Sequence, residues 1–259
     1  MTTNETRIDA LDVTLFDAIP SQTTEGERRS LLAIQRSTAH RHQVFSYLEI
    51  GSYFGGSLQP YVLDDRCRAI YSVDLRPRRQ PDDRYPGCDT SYQDNSTERM
   101  LELLSNLGQG DTRKLVCFDA DAADIDPKCI ADAPQISFID GEHTHRAVLS
   151  DYRFCASVMA GSGTIIFHDF DLVFPALYEI CNMLKRRKSP CVPLKLDDNL
   201  GALFFEPQII FTDPYLLRLY QQNRHYIRRY HHARRLRIYL PPRVMGLLWK
   251  LYQRLAKCH

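Results

Sequence analysis

Residues 44–57 read VFSYLEIGSYFGGS, a short apolar run followed by a glycine-rich turn. An apolar run of this length that ends at a glycine cluster is typical of a strand buried in a parallel sheet. Glycines after such a strand let the backbone turn sharply and approach a ligand closely. The spacing from Glu49 is E-x-G-x-x-x-G rather than G-x-G-x-x-G, which disfavours a dinucleotide pyrophosphate site.

Strand-like and helix-like segments alternate along the rest of the chain. We predict strands at residues 69–74, 114–118, 135–139 and 164–167 and helices at residues 58–63, 98–107, 146–159 and 175–188. This alternation indicates an α/β fold with a Rossmann-like, doubly wound and mainly parallel sheet. Residues 191–196 and 201–205 flank Asp197-Asp198-Asn199 and predict an antiparallel C-terminal hairpin, which brings the sheet to seven strands.

The two ends of the chain depart from this pattern. Apolar residues from Ile8 to Phe16 have helical spacing, and Thr24-Glu25-Gly26-Glu27 predicts the start of a second helix. Residues 76–96 are polar and proline-rich and predict a long loop, which in a compact domain is usually functional or mobile. The predicted division is an N-terminal helical cap (1–40), a sheet domain (41–213) and a basic helical C-terminal extension (214–259).

The charges of the chain are unevenly distributed. The formal net charge is +1, from 33 Lys and Arg against 32 Asp and Glu. No acidic residue follows Asp213, and residues 214–259 carry eleven Lys and Arg, so the first 213 residues hold 22 basic and 32 acidic groups. The near-zero total is therefore a cancellation between an acidic domain and a basic tail.

Polar residues follow each predicted parallel strand, at the edge where open α/β sheets bind ligands. Asp74 lies 25 residues after Glu49, where a carboxylate can accept hydrogen bonds from two ribose hydroxyls. The candidate site residues in chain order are Glu49, Gly51, Ser52, Gly55, Ser57, Asp74, Leu75, Asp121, Asp140, His143, His168 and Asp169.

The ordered set of strand ends resembles the class I S-adenosylmethionine-dependent methyltransferases over roughly residues 40–206. Within them it is similar to the small-molecule O-methyltransferases that include macrolide sugar methyltransferases and cephalosporin-hydroxylase-like proteins. The segments that carry the resemblance are YLEIGSYFGGS (47–57), YSVDLRP (71–77), FIDGEHTHRAVLSDY (138–152) and GSGTIIFHDF (161–170).

The resemblance implies where S-adenosylmethionine would bind. The amino-acid part of the cofactor would lie on Glu49, Gly51, Ser52, Gly55 and Ser57. Asp74 and Leu75 would contact the ribose, and Asp121 would lie near the adenine amino group, although Asp119, Asp124 and Asp126 are close competitors. Asp140 would border the cofactor as well.

The resemblance also implies a catalytic group at the fourth and fifth strand ends. His143 would be the base, and Asp140 and Asp169 would hold a divalent metal. Some relatives place a carboxylate where His168 stands, and this change disfavours Mg²⁺ while leaving Mn²⁺ or no metal open. Asp140 also fits a helix cap, and His143 fits a first-turn surface histidine that competes with His145.

Our leading hypothesis is an S-adenosylmethionine-dependent O-methyltransferase that acts on a hydroxyl of a sugar, glycolipid or secondary metabolite. An aliphatic hydroxyl is a poor nucleophile until a base such as histidine takes its proton. The competing hypotheses are a scaffold protein that works through its basic tail and a hydroxylase-like enzyme on the same fold, because a fold does not fix a function.

The basic tail ends in a predicted amphipathic helix. Apolar residues from Val244 to Leu255 share one face, basic residues share the other, and Trp249 is the only tryptophan of the chain. We favour docking of this helix on the acidic domain or on a second subunit of a homo-oligomer. Peripheral contact with an anionic membrane surface is the second interpretation. Only charge favours nucleic acid, so no specific nucleic-acid partner is predicted.

Two further features predict a cytoplasmic protein, placed under the membrane interpretation at the inner membrane surface. The N-terminal residues lack the apolar core of a signal peptide, and no apolar run reaches the roughly 18–20 residues that span a bilayer. The eight cysteines form no CxxC pair, which favours free thiols in a reducing compartment.

Overall fold

The computed structural model of the protein describes residues 3–82, 88–159 and 161–237. The strands are β1 (Phe45–Ile50), β2 (Cys67–Val73), β3 (Arg79–Asp82), β4 (Cys88–Ser91), β5 (Leu115–Phe118), β6 (Ile136–Ile139), β7 (Thr164–Phe167), β8 (Val192–Lys195) and β9 (Gly201–Phe204). The helices are α1 (Thr3–Asp9), α2 (Glu25–His42), α3 (Gln59–Val62), α4 (Thr97–Ser105), α5 (His145–Val158), α6 (Phe170–Arg186), α7 (Gln208–Thr212), α8 (Pro214–Asn223) and α9 (Tyr226–Arg237). Short 3-10 helices lie at Val13–Phe16, Thr112–Lys114, Ala122–Asp124 and Pro127–Cys129.

The main sheet has seven strands in the order β5-β2-β1-β6-β7-β9-β8. The first five strands of this order are parallel, and β9 runs antiparallel to both β7 and β8. The predicted parallel sheet with a C-terminal hairpin is therefore confirmed. The order reverses between the neighbours β1 and β6, so the ligand cleft is expected beyond the carboxyl ends of these two strands.

The apolar run at the start of the quoted stretch forms β1, the third strand of the sheet, and all of its residues are buried. Its side chains alternate between two hydrophobic clusters: Phe45 and Tyr47 pack on the side of α2, and Leu48 and Ile50 pack on the side of α5 and α6. Helices on both faces explain why the strand reads as continuously apolar. The N-terminal helices share the first cluster with the sheet, so they are part of its hydrophobic core.

Three predicted elements differ from the observed ones. The N-terminal apolar stretch forms α1 and a separate 3-10 helix, because Leu11 adopts a left-handed backbone (φ 57°) that interrupts the helix. The predicted loop 76–96 contains the antiparallel ribbon β3–β4. Helix α6 begins at Phe170, five residues before the predicted start, and carries Pro175 inside it.

Helix α9 packs along α6 through aromatic rings. Tyr230 lies edge-on to Phe174 with ring centroids 4.6 Å apart, and His231 stacks on Tyr178 at 3.6 Å. Pro175 has no backbone N–H, so the Asp171 carbonyl lacks its helical partner. Nη1 of Arg234 donates to that carbonyl at 2.9 Å.

The C-terminal part of the basic tail was predicted to form an amphipathic helix with Trp249. That segment lies outside the described residues. Within the described part of the chain, no helix is both long and apolar enough to cross a bilayer. The six cysteines for which the structure describes the side chain are all free thiols.

Candidate functional site

Gly51 brings the ends of β1 and β6 into direct contact. It adopts a left-handed backbone (φ 89°), and a Cβ atom at this position would lie 2.2 Å from the Asp140 carbonyl oxygen. The N–H of Asp140 in turn donates to the carbonyl of Ile50 at 2.8 Å. Only glycine fits this crossing, so the predicted cofactor turn and the predicted catalytic strand end are neighbours.

The buried side chain of Glu49 connects β1 to the turn that follows it. Its carboxyl oxygens accept hydrogen bonds from Tyr47 Oη at 2.5 Å and from Ser57 Oγ at 2.7 Å. Complete burial raises the pKa of Glu49 to about 8. Ser52 accepts a hydrogen bond from Ser72 Oγ at 2.8 Å, and Gly55 has a left-handed backbone (φ 79°). The predicted turn residues are thus brought together.

Asp74 lies at the end of β2 with its carboxylate held in place. The backbone N–H groups of Tyr53 and Arg76 donate to it at 2.9 and 2.8 Å, and Nη1 of Arg76 approaches at 3.3 Å. Two carboxylate oxygens offer about four acceptor sites, so one site remains for a hydroxyl. No sequence pattern indicated that Arg76 would approach Asp74. The neighbouring Leu75 is 58% exposed, an apolar surface beside the predicted ribose position.

Asp121 begins the 3-10 helix that follows β5. Its carboxylate accepts a hydrogen bond from the N–H of Ala123 at 2.8 Å, and the side chain is otherwise exposed. The competitor Asp119 accepts a hydrogen bond from Thr97 Oγ1 at 2.5 Å instead. Both carboxylates are exposed, but Asp119 also lies 3.4 Å from Nε of Arg76, so Asp121 has fewer protein partners.

Four polar residues converge where β6 and β7 end. Nε2 of His143 lies 3.4 Å from Asp169 Oδ2 and 3.8 Å from Asp140 Oδ1. Nδ1 of His168 lies 2.9 Å from Asp140 Oδ1. His143 is only 8% exposed, so it is not a surface histidine. By contrast, His145 is exposed and pairs with Glu179 at 3.1 Å. The structure thus brings the predicted catalytic residues together and sets His145 apart.

His168 is an imidazolium held between two carboxylates. Its second ring nitrogen, Nε2, lies 3.5 Å from Oε2 of Glu27 on α2. Burial favours the neutral ring, but the carboxylates of Asp140 and Glu27 outweigh burial and raise the pKa of His168 to about 11. The same pairing outweighs burial at Asp140 and Glu27 and lowers the pKa of both acids. The contacts are ion pairs rather than well-aligned hydrogen bonds.

Glu27 and Asn199 belong to this group, but the sequence did not identify them as site residues. Glu27 forms a capping box with Thr24, and its Oε1 accepts a hydrogen bond from the Asn199 N–H at 3.0 Å. Asn199 also donates through Nδ2 to Asp169 Oδ1 at 2.8 Å. The capping pattern located the start of α2, yet only the fold shows that this helix end reaches β7.

The residues predicted to hold a divalent metal are Asp140, Asp169 and His168. Ligand atoms of Asp140, His143 and His168 lie within 4.8 Å of one another. The two ring nitrogens of His168 already face the carboxylates of Glu27 and Asp140, and Asn199 donates a hydrogen bond to one oxygen of Asp169. This donor set fits Mg²⁺ poorly, because Mg²⁺ prefers oxygen ligands in octahedral geometry. The metal stays a prediction.

Comparisons with known proteins agree with the fold and with the strand-end motifs. Residues 48–170 match a family described as a methyltransferase domain. The solved structure of CalS11, a calicheamicin methyltransferase, is 16% identical with a TM-score of 0.50 over 80% of this chain and 94% of that chain. The O-methyltransferase NovP is 15% identical with a TM-score of 0.52 over 70% of this chain and 81% of that chain. None of the curated protein sequences compared matches the chain.

The sheet order, the strand-end motifs and the family match define the class of this protein. Residues 48–170 form a methyltransferase domain of the Rossmann-like kind. The protein is an S-adenosylmethionine-dependent methyltransferase, as its sequence predicted.

Proposed function

We propose that the protein transfers the methyl group of S-adenosylmethionine to a hydroxyl of a small polar molecule, such as a sugar or a secondary metabolite. One observation carries the proposal: Gly51 presses the cofactor turn against the backbone of Asp140, at the strand end that carries His143. Donor and base therefore share one cleft. Methyl transfer is mostly a positioning problem, and a fixed juxtaposition of this kind supports it.

His143 is the proposed general base. The bound cofactor supplies an electrophilic methyl group on a sulfonium. The imidazole of His143 accepts the proton of the acceptor hydroxyl, and Asp169 and Asp140, 3.4 and 3.8 Å from its Nε2, stabilise the imidazolium that forms. Asn199 fixes Asp169 from the other side. General-base assistance of this kind contributes typically about 10²–10⁴-fold in rate.

The groups around His143 support a polar acceptor. Carboxylates, an imidazolium and an amide surround the base, and these groups can form hydrogen bonds with several hydroxyls of a sugar. Glu27 from α2 is only 1% exposed and holds His168 and the β8–β9 turn in place behind these groups, so α2 supports the acceptor side from within the fold. CalS11 and NovP, a calicheamicin methyltransferase and an O-methyltransferase, have the same fold.

Calorimetry with S-adenosylhomocysteine tests cofactor binding without an acceptor. We expect binding to wild type and at least tenfold weaker binding to Asp74→Ala, because the lost carboxylate would no longer accept a hydrogen bond from the ribose. The exposed Asp65→Asn variant, two residues before β2, is the control and should bind as wild type does. Failure of wild type to bind would instead favour the scaffold or hydroxylase-like hypotheses.

The base assignment is tested with a matched pair of histidine variants. Once an acceptor is found by screening sugars and glycosides, His143→Ala should lower kcat by about 10²–10⁴-fold and leave the affinity for S-adenosylhomocysteine unchanged. His145→Ala, which removes an exposed histidine two residues away, should keep the full rate. A His143→Ala enzyme with wild-type rates from pH 6 to pH 9 would remove His143 from the mechanism.

A further inference from the structure

Lys195 is a buried lysine at the end of β8, and the proposed mechanism makes no use of it. The residue is only 7% exposed. Its Nζ atom donates hydrogen bonds to the carbonyl of Leu196 at 2.9 Å and to the carbonyl of Asp198. The ring centroids of Phe170 and Tyr226 lie 5.1 and 6.0 Å from the same atom. A buried ammonium group is costly unless it is hydrogen-bonded and paired, so its position requires an explanation.

Lys195 places a positive charge among acids that come from different parts of the fold. Burial lowers the pKa of Lys195 to about 8, so the side chain is still mostly charged at neutral pH. The acids that favour its charged form are Asp171, Asp197, Asp198 and Glu27. They lie on α6, on the β8–β9 turn and on α2. The ammonium group therefore offsets the repulsion between acids where these three elements meet.

The same ammonium group stabilises the conformation of the β8–β9 turn. Asp198 in this turn has a left-handed backbone (φ 47°), which is uncommon for a residue with a side chain. Its carbonyl and the carbonyl of Leu196 both accept a hydrogen bond from Nζ of Lys195, so the lysine holds the two residues together. Thr24 Oγ1 donates to the Asp198 carboxylate at 2.5 Å from the start of α2. The residue held in this way directly precedes Asn199.

Asn199 places the first residues of α6. Its carbonyl accepts a hydrogen bond from the N–H of Phe170 at 2.8 Å, and its Oδ1 accepts one from the N–H of Asp171 at 3.1 Å. The N-cap residue Asp169 makes no capping hydrogen bond with its own side chain, so Asn199 caps the helix from another part of the chain. Nδ2 of Asn199 also donates to Asp169 Oδ1, while Oδ2 of this acid faces His143. The turn therefore controls the direction of the Asp169 carboxylate.

We propose that Lys195 is a positioning residue for methyl transfer, which holds Asn199 where it orients Asp169 toward the proposed base. The inference rests on the proposed function. Without the ammonium group, the Asp198 carbonyl loses its donor and the acids of the turn repel one another, so Asn199 moves away from the start of α6. A displacement of about 1 Å near the reacting groups can cost about 10²-fold in rate.

The first test requires neither cofactor nor acceptor. Lys195→Met removes the charge and the donors but keeps an unbranched side chain. Hydrogen exchange followed by NMR should show the amides of Phe170 and Asp171 exchanging at least about tenfold faster in this variant than in wild type, because their cap is loosened. Lys114→Met is the matched control. Lys114 also donates to a backbone carbonyl, at 2.7 Å, but lies at the opposite edge of the sheet, so both amides should exchange as in wild type.

The second test separates positioning from folding. With an acceptor found by screening sugars and glycosides, Lys195→Met should lower kcat by roughly 10–100-fold and leave the affinity for S-adenosylhomocysteine within about twofold of wild type. Because Lys195 acts through Asn199, adding Lys195→Met to Asn199→Ala should lower kcat no further. If Lys195→Met does not fold, Lys195→Gln, which keeps one donor group, replaces it in both tests.

The other outcomes also decide the matter. A wild-type kcat in Lys195→Met, independent losses in the double variant, or unchanged exchange at Phe170 and Asp171 overturns the inference while the proposed function stands. A parallel loss of kcat and of affinity for S-adenosylhomocysteine overturns it as well, because it indicates general damage to the fold. If wild type binds no S-adenosylhomocysteine, the proposed function fails, and the exchange test still decides whether Lys195 holds the turn.

Discussion

Replacing Asp151 by asparagine should stabilise the free protein at pH 8. Asparagine has nearly the shape of aspartate but no charge, so it removes the cost of an ionised carboxyl group in a buried site. The pKa of Asp151 rises from 3.8 to about 7, a shift of about three units, and one unit corresponds to about 1.36 kcal/mol. The ceiling is therefore about 4 kcal/mol. Local relaxation and residual water reduce it, and we expect about 2 kcal/mol.

The pH dependence follows from the direction of the shift. The folded protein holds the Asp151 proton more tightly than the unfolded chain does, so the stability of wild type falls as pH rises from about 4 to about 7. Below pH 4 both states carry the proton and the cost disappears. The advantage of Asp151→Asn over wild type should thus be close to zero at pH 4 and complete at pH 8.

Thermal and urea unfolding at pH 5 and pH 8 provide the assay. A gain of about 2 kcal/mol corresponds to a Tm increase of roughly 4–8 °C for a domain of this size. Asp65→Asn carries the same charge change at an exposed position and should give less than about 0.5 kcal/mol at either pH. A variant less stable than wild type at pH 8, or a difference that does not change with pH, would refute the reasoning.

Three further predictions concern the turn after β1, the metal and the tail. Gly51→Ala should cost more than about 2 kcal/mol in urea unfolding, because its Cβ atom meets the Asp140 carbonyl. Gly161→Ala, which has a positive φ but no heavy atom within 4 Å, should cost about 1 kcal/mol, and equal costs would contradict the clash. Methyl transfer should keep its rate in EDTA because both ring nitrogens of His168 already pair with carboxylates, and a tenfold loss restored by Mn²⁺ would establish a metal. Wild type and a chain ending at residue 237 should both fail to float with anionic vesicles if the tail docks on protein, whereas flotation of wild type alone would favour the membrane interpretation.

The order of strands and helices was predictable because local patterns determine it. The apolar run of β1, the capping box of α2 and the Asp197–Asn199 turn each appear in a few consecutive residues, and each was found where predicted. The start of α6 was misplaced because Pro175 usually opens a helix rather than lying inside one. The β3–β4 ribbon was missed because its residues are polar and contain proline.

The residues of the candidate site also fall into a predictable group and an unpredictable group. His143, Asp140 and Asp169 follow strands, and strand ends of a parallel sheet meet at one edge, so their convergence could be inferred from order alone. Glu27 and Asn199 reach the site from a helix start and a hairpin turn far away in the sequence. Asp151 lies inside α5, and no sequence pattern identified it. Contacts of this kind depend on tertiary packing, which no short sequence pattern predicts.

The contact between Arg234 and the Asp171 carbonyl has a mechanical consequence for the molecule. Asp171 lies in the first turn of α6, two residues after Asp169, whose carboxylate contacts His143. The basic tail therefore forms a hydrogen bond to the turn that positions Asp169. Pulling α9 away would leave that carbonyl without a donor and loosen the turn beneath Asp169. A partner that binds α9 would therefore disturb the first turn of α6, next to the acid that contacts the proposed base.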